Sequence, residues 1–128
     1  VVILDLDHFK EINDSYGHPV GDLMLKEIAK ILKNNIRASD SAARWGGEEF
    51  LIILPQTNFP NAMAAAEKIR ADMDQAQFPV AGHMTCSFGV ASVRKDDDQD
   101  KLLNPADEAL YEAKKNGRNR VIGQNSDH

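Results

Sequence analysis

The sequence has a single cysteine, no long basic block and no long apolar run, and each absence excludes a class of protein. Cys86 has no partner for an intramolecular disulfide, so the chain is compatible with a reducing cytosol. The net charge is −5 and the Lys and Arg residues are scattered, which argues against a nucleic-acid partner but leaves a smaller phosphate ligand open. No apolar run approaches the roughly twenty residues of a membrane span, so we expect no direct membrane contact.

The composition suits one compact domain. The 128 residues are 42% apolar and 27% charged, and a chain of this length buries roughly two-thirds of its unfolded surface. We predict one domain over residues 1–123 and a C-terminal tail over residues 124–128. The chain begins abruptly in an apolar run, so we expect it to be truncated at its N-terminus, with any membrane anchor lying upstream.

Apolar runs of strand length alternate with segments of helical periodicity. Predicted strands lie at 1–4, 41–45, 50–54, 85–93 and 121–122, and predicted helices lie at about 21–37, after Pro60, and at 102–115. Four residues of the middle helix are predicted to face the core: Ala62, Ala66, Ile69 and Met73. The segment 16–22 is predicted as a turn, with Asp22 in the first turn of the helix that follows, and the acidic residues at 96–98 and 100 are predicted to form a solvated loop. This alternation, with one tight hairpin, predicts an α/β (α+β) sandwich in which helices flank a mixed central β-sheet.

The hairpin segment 44–50, RWGGEEF, places two glycines and two carboxylates between strand-like runs. An ordinary polar hairpin tip would explain it. If the first strand lies beside the hairpin, however, Asp5 and Glu48 meet at one rim, where unpaired carboxylates would repel each other. A divalent cation would reconcile them, because Asp, Glu and backbone carbonyl oxygens suit Mg²⁺. Gly46 and Gly47 would let a nucleotide lie against the turn backbone. The residues alone leave both interpretations standing.

Three long segments, in this order, carry a resemblance to a known family. They are DLDHFKEINDSYGHPVGD (5–22), RASDSAARWGGEEF (37–50) and ADEALYEAKKNGRNRV (106–121), and together they resemble the diguanylate cyclase domains named after the GGDEF or GGEEF motif. The match runs from residue 1 to about Gly123. The resemblance implies a bacterial, cytoplasmic catalytic module, or the cytosolic part of a membrane-anchored sensor, with a fold similar to the nucleotidyl cyclase and polymerase palm (ferredoxin-like). The family's usual upstream helix, with its Asp-x-Leu-Thr turn, is not part of these residues.

The resemblance implies an enzyme that condenses two GTP into cyclic di-GMP and two pyrophosphates. It would act as a homodimer, depend on Mg²⁺ with Mn²⁺ as a substitute, be inhibited by its product, and answer to an upstream sensory domain. The alternative is a GGEEF domain without turnover that serves as a receptor for cyclic di-GMP or GTP. A structural dimerisation domain is a third interpretation, and it leaves the acidic rim unexplained.

Carried over by motif position, the resemblance implies catalytic roles for Asp5, Glu48 and Glu49. Asp5, Glu48 and the carbonyl of Leu6 would hold the metal. The intact carboxylates speak against the receptor interpretation, because a site without turnover has no reason to keep them. Asp7, two residues after Asp5, we interpret as a solvated strand end.

The resemblance also implies two groups of substrate contacts. Asn13 and Asp22 match the guanine-binding positions, where a carboxylate can accept from N1 and N2 and an amide can donate to O6. Lys10, Lys114 and Arg118 match the phosphate-contacting positions. Each residue also has an ordinary interpretation, because Asn and Asp cap helices and Lys114 lies near a charged helix end.

Arg37 and Asp40 match the family's inhibitory RxxD site for the product. Arginine can bind guanine O6 and N7 bidentately and reach phosphate, while aspartate takes the guanine donors. The competing interpretation is a salt bridge at a helix end, worth less than about 1 kcal/mol if exposed.

Overall fold

The computed structural model describes residues 1–78, 80, 82–92 and 99–124, with the backbone alone at 99–102. Its strands are β1 (Val2–Leu6), β2 (Ser41–Arg44), β3 (Glu49–Ile53), β4 (Cys86–Ala91) and β5 (Val121–Gln124). Its helices are α1 (Phe9–Tyr16), α2 (His18–Asn35), α3 (Phe59–Gln75) and α4 (Gln99–Lys115). No helix within the described ranges is long and apolar enough to cross a bilayer.

The strands form one mixed sheet in the order β2-β3-β1-β4-β5, which confirms the predicted fold class. β1 pairs antiparallel with both β3 and β4, β2 and β3 form the predicted hairpin, and β5 runs parallel to β4. A parallel neighbour needs a long crossover, and α4 occupies that connection. β1 is therefore the central strand, and all of its residues are buried.

The two faces of the sheet pack on different helices. Val2, Leu4 and Leu6 alternate towards the larger core, to which α2 and α3 contribute. The inward residues predicted for α3 all lie there: Ala62, Ala66, Ile69 and Met73. Ile3 points to the opposite face and packs with Leu110 of α4.

α4 approaches the sheet at Gly89 of β4. A Cβ atom at Gly89 would lie 2.1 Å from the carbonyl oxygen of Ala106 and 2.5 Å from the backbone nitrogen of Leu110. Only a residue without a side chain admits the helix backbone this closely. The position of α4 over β4, and of every side chain that α4 carries to the rim of the sheet, therefore depends on this glycine.

The connection after β1 differs from the prediction. The segment 16–22 is not a free turn, because α1 ends at Tyr16 and α2 begins at His18, with Gly17 at φ 88 between them. Pro19 lies in the first turn of α2, where a missing N–H costs nothing. Asp22 is consequently a later residue of α2, and the prediction that placed it in the first turn is wrong.

Two predictions fall partly outside the described residues. Positions 96–98 of the acidic run and 125–128 of the predicted tail are not described, whereas Asp100 lies in α4 and Gln124 is the last residue of β5. α4 begins at Gln99, three residues before the predicted start at 102.

Candidate active site

Two carboxylates face each other at the end of the central strand pair. The register of β1 and β3 puts Asp5 directly opposite Glu49, and Asp5 is 4% exposed. Like charges directly opposite across two strands destabilise the pair. Burial raises the pKa of Asp5 above its ordinary value, against the opposing effect of Lys114. Burial also raises the pKa of Glu49, and the Asp5 carboxylate adds to the shift.

Lys114 brings one positive charge to this pair from the last turn of α4. Its Nζ atom donates a hydrogen bond to Oδ2 of Asp5, across 109 residues of sequence. The other carboxylate oxygen, Oδ1 of Asp5, is buried and has no hydrogen-bond partner among the described residues. A buried anionic oxygen without a donor is costly unless a cation meets it.

Glu48 lies next to Asp5 at the end of the hairpin turn. The backbone N–H of Leu6 donates to the Glu48 carbonyl at 3.3 Å, which ties the turn to the end of β1. Burial raises the pKa of Glu48, and the neighbouring Asp5 charge raises it further. Nowhere in the described ranges do three His, Cys, Asp or Glu side chains converge as a metal site. The carboxylates of Asp5 and Glu48 lie close enough to interact electrostatically, and the backbone of Leu6 is bonded to that of Glu48.

The tip of the hairpin is held by an arginine that the sequence analysis did not single out. Arg44 Nε donates to the carbonyl oxygens of Gly46 and Gly47 at 3.2 and 3.1 Å, and its Nη2 reaches Gly47 at 2.6 Å. Neither glycine has a positive φ, and a Cβ at Gly47 would meet no described atom within 4 Å. Internal packing therefore does not require glycine at Gly47, and the turn backbone is open to an external group.

A small cleft brings together five of the residues selected from the sequence. Its volume is 170 Å³, and its lining includes Leu6, Lys10, Glu48, Lys114 and Arg118. These residues come from β1, α1, the hairpin turn, α4 and the turn after α4. The lining also includes Asp7 and Glu11, so three carboxylates share the cleft with three cations, an arrangement suited to a polyanion that carries a metal ion.

Asn13 lies where α1 packs on α2, beside Gly21, the residue that precedes Asp22. A Cβ at Gly21 would lie 1.9 Å from Oδ1 of Asn13, so the missing side chain makes room for the carboxamide. Oδ1 of Asn13 is buried and unpaired within the described part of the chain. Asp22, the next residue after Gly21, is exposed and lines a 660 Å³ groove between α2 and β2 that extends to Arg44. Neither residue caps a helix, since the N-caps are His8 for α1 and Gly17 for α2.

The interpretation of Asp7 as a solvated strand end is wrong. Asp7 is 4% exposed, and its two oxygens accept hydrogen bonds from Thr85, Ser87 and the backbone of Asn119. All three donors lie more than seventy residues away in sequence, at separations of 78, 80 and 112. The local pattern DLDH gives no sign of them.

Arg37 and Asp40 lie at the opposite end of the hairpin. The backbone N–H of Arg37 donates to Asp40 Oδ2 at 2.8 Å and its Nη2 reaches Oδ1 at 3.2 Å. Although burial raises it, these hydrogen bonds hold the pKa of Asp40 below its ordinary value. Nη2 also donates to Thr57 Oγ1 at 2.7 Å, beside a 300 Å³ cleft that Arg37, Asp40 and Thr57 line. The strand length of β3 separates this pair from the acidic rim by about 15 Å.

Comparisons with known proteins show which family this chain resembles. The family described as "Diguanylate cyclase, GGDEF domain" matches residues 1–120. Diguanylate cyclase A of Treponema denticola is 46% identical over 125 residues, and the match covers 94% of this chain but only 34% of that protein. The chain therefore spans about a third of the length of this curated relative.

Solved structures carry the same fold. The active GGEEF domain of a diguanylate cyclase from Vibrio cholerae is 37% identical with a TM-score of 0.88, covering 95% of this chain and 80% of that one. The GGDEF domain of DgcB from Caulobacter crescentus, solved in complex with c-di-GMP, is 33% identical with a TM-score of 0.89, covering 95% and 75%.

Proposed function

This chain belongs to the GGDEF family of diguanylate cyclase domains, and from that membership we propose that it condenses two GTP molecules into cyclic di-GMP with release of two pyrophosphates. One observation supports the proposal above all others. The buried Asp5 keeps an unpaired oxygen beside Glu48, next to a cleft lined by Lys10, Lys114 and Arg118. Without a ligand at this place, the buried Oδ1 of Asp5 would have no partner among the described residues.

We propose that Asp5, Glu48 and the carbonyl of Leu6 hold a divalent cation, Mg²⁺ or Mn²⁺. The fit rests on the unpaired Oδ1 of Asp5 and on the hard oxygen character of all three donors. When bound, such an ion offsets charge on the leaving pyrophosphate and lowers the pKa of the attacking 3′-hydroxyl. Glu49, opposite Asp5, completes the acidic rim.

The chain's own residues would then bind and orient the nucleotide. Lys10, Lys114 and Arg118 offset the charge of the triphosphate, and Gly46 and Gly47 leave the turn backbone open to it. Asn13 and Asp22 would read the guanine edge, and adenine would be rejected because it leaves these polar groups unpaired. The catalytic contribution is alignment of hydroxyl and phosphate, since no protein nucleophile is required.

Regulation and assembly belong to the same proposal. Arg37 and Asp40 would bind the product, cyclic di-GMP, away from the acidic rim and inhibit turnover. Two chains would have to face each other, because each supplies one guanine pocket and one rim, whereas the product needs two equivalent bonds. An upstream sensory domain in the full-length protein would control that pairing.

The experiment that tests the function is incubation of the chain with GTP and Mg²⁺, followed by mass analysis for cyclic di-GMP. We expect product from GTP and none from ATP, and loss of product in EDTA. A chain that binds cyclic di-GMP but makes none, even at high protein concentration, would favour the receptor function through Arg37 and Asp40. A chain that neither makes nor binds the nucleotide would contradict both.

A further inference from the structure

The carboxylate of Asp7 is the most completely hydrogen-bonded acid near the rim. Its Oδ1 accepts from Ser87 Oγ at 2.6 Å, and its Oδ2 accepts from Thr85 Oγ1 at 2.6 Å and from the backbone N–H of Asn119 at 3.0 Å. None of the ion pairs among the described residues includes Asp7. This is the opposite of Asp5, whose Oδ1 has no described partner. Asp7 is therefore occupied as an acceptor, whereas Asp5 is available.

The turn that Asp7 holds has an unusual backbone. Gly117, Arg118 and Asn119 have φ values of 121, 63 and 45, so two consecutive residues with side chains lie in the left-handed region. Such residues persist there only when their surroundings fix them. Asn119 is fixed twice, through its N–H by Asp7 and through its Oδ1 by Arg70 Nη1 at 2.9 Å.

The same turn carries a cation of the cleft. Arg118 precedes Asn119 and lines the 170 Å³ cleft together with Lys10, Lys114 and Glu48. Asp7 also follows directly after Leu6, which lines the same cleft. A single side chain thus connects the strand that forms the acidic rim to the turn that presents Arg118.

We propose that Asp7 is a positioning residue that holds Arg118 against the triphosphate through the backbone of Asn119. Asp7 itself borders the cleft, but its two oxygens accept from Thr85, Ser87 and Asn119, so its proposed action on the nucleotide is through the turn that carries Arg118. The proposal rests on the proposed function only in taking the polyanion as GTP. Its basis is geometric: three short hydrogen bonds, a left-handed turn and a cation at its start.

Two variants of Asp7 distinguish the effect of its hydrogen bond to Asn119 from the effect of its negative charge. In Asp7→Asn, the carboxamide oxygen can replace Oδ2 as acceptor for Asn119 and Thr85, while its NH₂ donates to Ser87 Oγ, whose hydroxyl can rotate. This variant keeps the link to Asn119 and removes the charge. Asp7→Ala removes the link itself. A metal ligand or a structural acid would respond differently to this pair of variants.

The test is binding of 3′-deoxy-GTP, which lacks the attacking hydroxyl and is read by calorimetry without turnover. We expect Asp7→Ala and Arg118→Ala each to weaken binding about tenfold, since each loses a charge-assisted phosphate contact. The double variant should be no weaker than Arg118→Ala, because the two act as one unit. Asp7→Asn should bind within about twofold of the original chain. Guanosine, which has no phosphate, should bind all of them alike.

Two results would overturn the proposal. One is additive loss in the double variant, and the other is a loss in Asp7→Asn as large as that in Asp7→Ala. If Asp7→Ala does not fold, Thr85→Val is the alternative variant, because it removes one hydrogen bond to Asp7 without changing a residue of the cleft. Its loss of 3′-deoxy-GTP affinity should be smaller, and that loss must likewise vanish when Arg118 is already alanine. Failure of the chain to make cyclic di-GMP would remove the proposed function but leave this coupling measurable. Absence of any 3′-deoxy-GTP binding would overturn both.

Discussion

Glu48 lies beside the buried Asp5 at the end of the hairpin turn. Replacing one of its carboxylate oxygens by an amide nitrogen tests whether its charge is needed for catalysis. Glu48→Gln keeps the shape of the side chain and removes a charge that would hold the metal. We expect the rate of cyclic di-GMP formation to fall about 100- to 1000-fold, the usual loss for one preorganised contact. Initial rates across a Mg²⁺ series measure it.

The matched control for this variant is Glu27→Gln on α2, where the partly exposed carboxylate pairs with Lys30. Both variants should retain the melting temperature of the original chain to within a few degrees. Turnover like that of the original chain in Glu48→Gln, with the same Mg²⁺ dependence, would remove Glu48 from the mechanism.

The variant Glu49→Gln tests the electrostatic repulsion between Glu49 and Asp5 across β1 and β3. The pKa of Glu49 and that of Asp5 are both raised, so the folded state binds more protons than the unfolded state over this range, and stability falls as the pH rises through these pKa values. In EDTA at pH 7, Glu49→Gln should therefore raise the free energy of unfolding by about 0.5 kcal/mol. Urea titrations from pH 7 down to pH 4 should show the gain shrinking, because protonation removes the same charge. A gain that grows towards acid pH would contradict the sign.

Single residues differed in how far sequence could place them. Asp5 and Glu48 lie within long motifs, so their neighbourhood followed from the resemblance once β1 and the hairpin pair. Asp7 was misjudged because its burial depends on Thr85, Ser87 and Asn119, which no local pattern connects to it. The roles assigned to the site residues stay predictions until variants are measured.

The packing of α4 on β4 is the element-scale feature on which the rim depends. Gly89→Ala inserts a methyl group where the helix backbone already lies at contact distance. We expect the change to cost about 1–3 kcal/mol of stability and to lower activity further by drawing Lys114 away from Asp5. Urea unfolding and initial rates report the two effects.

Gly47→Ala serves as the contrasting variant, because a Cβ there meets no described atom within 4 Å and the backbone φ is not positive. Its stability should change by only a few tenths of a kcal/mol, as for an ordinary surface substitution. Equal stability losses at Gly89 and Gly47 would show that the close approach of α4 does not limit the fold.

Variants at the proposed product site, at the far end of the hairpin, test whether product inhibition is separable from catalysis. Arg37→Ala should weaken binding of cyclic di-GMP and relieve product inhibition while initial rates stay largely intact, as a coupling between distinct sites requires. Thr57→Val should act in the opposite direction, because it removes an acceptor that competes for the Arg37 guanidinium. Calorimetry and progress curves report both. Unaltered product affinity in Arg37→Ala would return this pair to a simple salt bridge.

Elements with strong periodicity were predictable, and those made by packing were not. The inward stripe of α3 was placed correctly because apolar residues recur at helical spacing. α1 was missed because its sequence, FKEINDSY, is rich in Asn, Asp and Ser, which have weak helix propensity. The chain is helical there because α1 packs against α2 around Asn13 and Gly21.

At the scale of the whole molecule, the proposed function gives each chain one rim and one guanine pocket, which is half of what the proposed product requires. We expect a mostly monomeric chain whose specific activity rises with protein concentration, and rises further when a dimerising coiled coil is fused to it. The measurement is initial rate per chain over a dilution series, beside sedimentation. Substantial activity that stays flat in a preparation monomeric throughout would contradict catalysis in pairs.

The fold class was predictable from alternation of strands and helices, but the strand order was not. Sequence patterns show that a segment is buried, and they do not show which neighbour covers it. The antiparallel pairing of β1 with β4 joins residues eighty or more positions apart, such as Leu6 and Cys86. Only the complete set of apolar faces decides such a partner.

The central place of β1 also has a consequence for biosynthesis. β1 leaves the ribosome before both of its neighbouring strands. Lys114, the partner of Asp5, is not synthesised until 109 residues after Asp5. At a translation rate of about 5–20 residues per second, the acidic rim stays open for several seconds. β1 has two unpaired edges until β3 has been made and one until β4 has been made, and an unpaired apolar edge invites wrong pairing. The nascent chain is thus most exposed to aggregation before it can respond to any nucleotide, and the rim closes only when the last helix has been made.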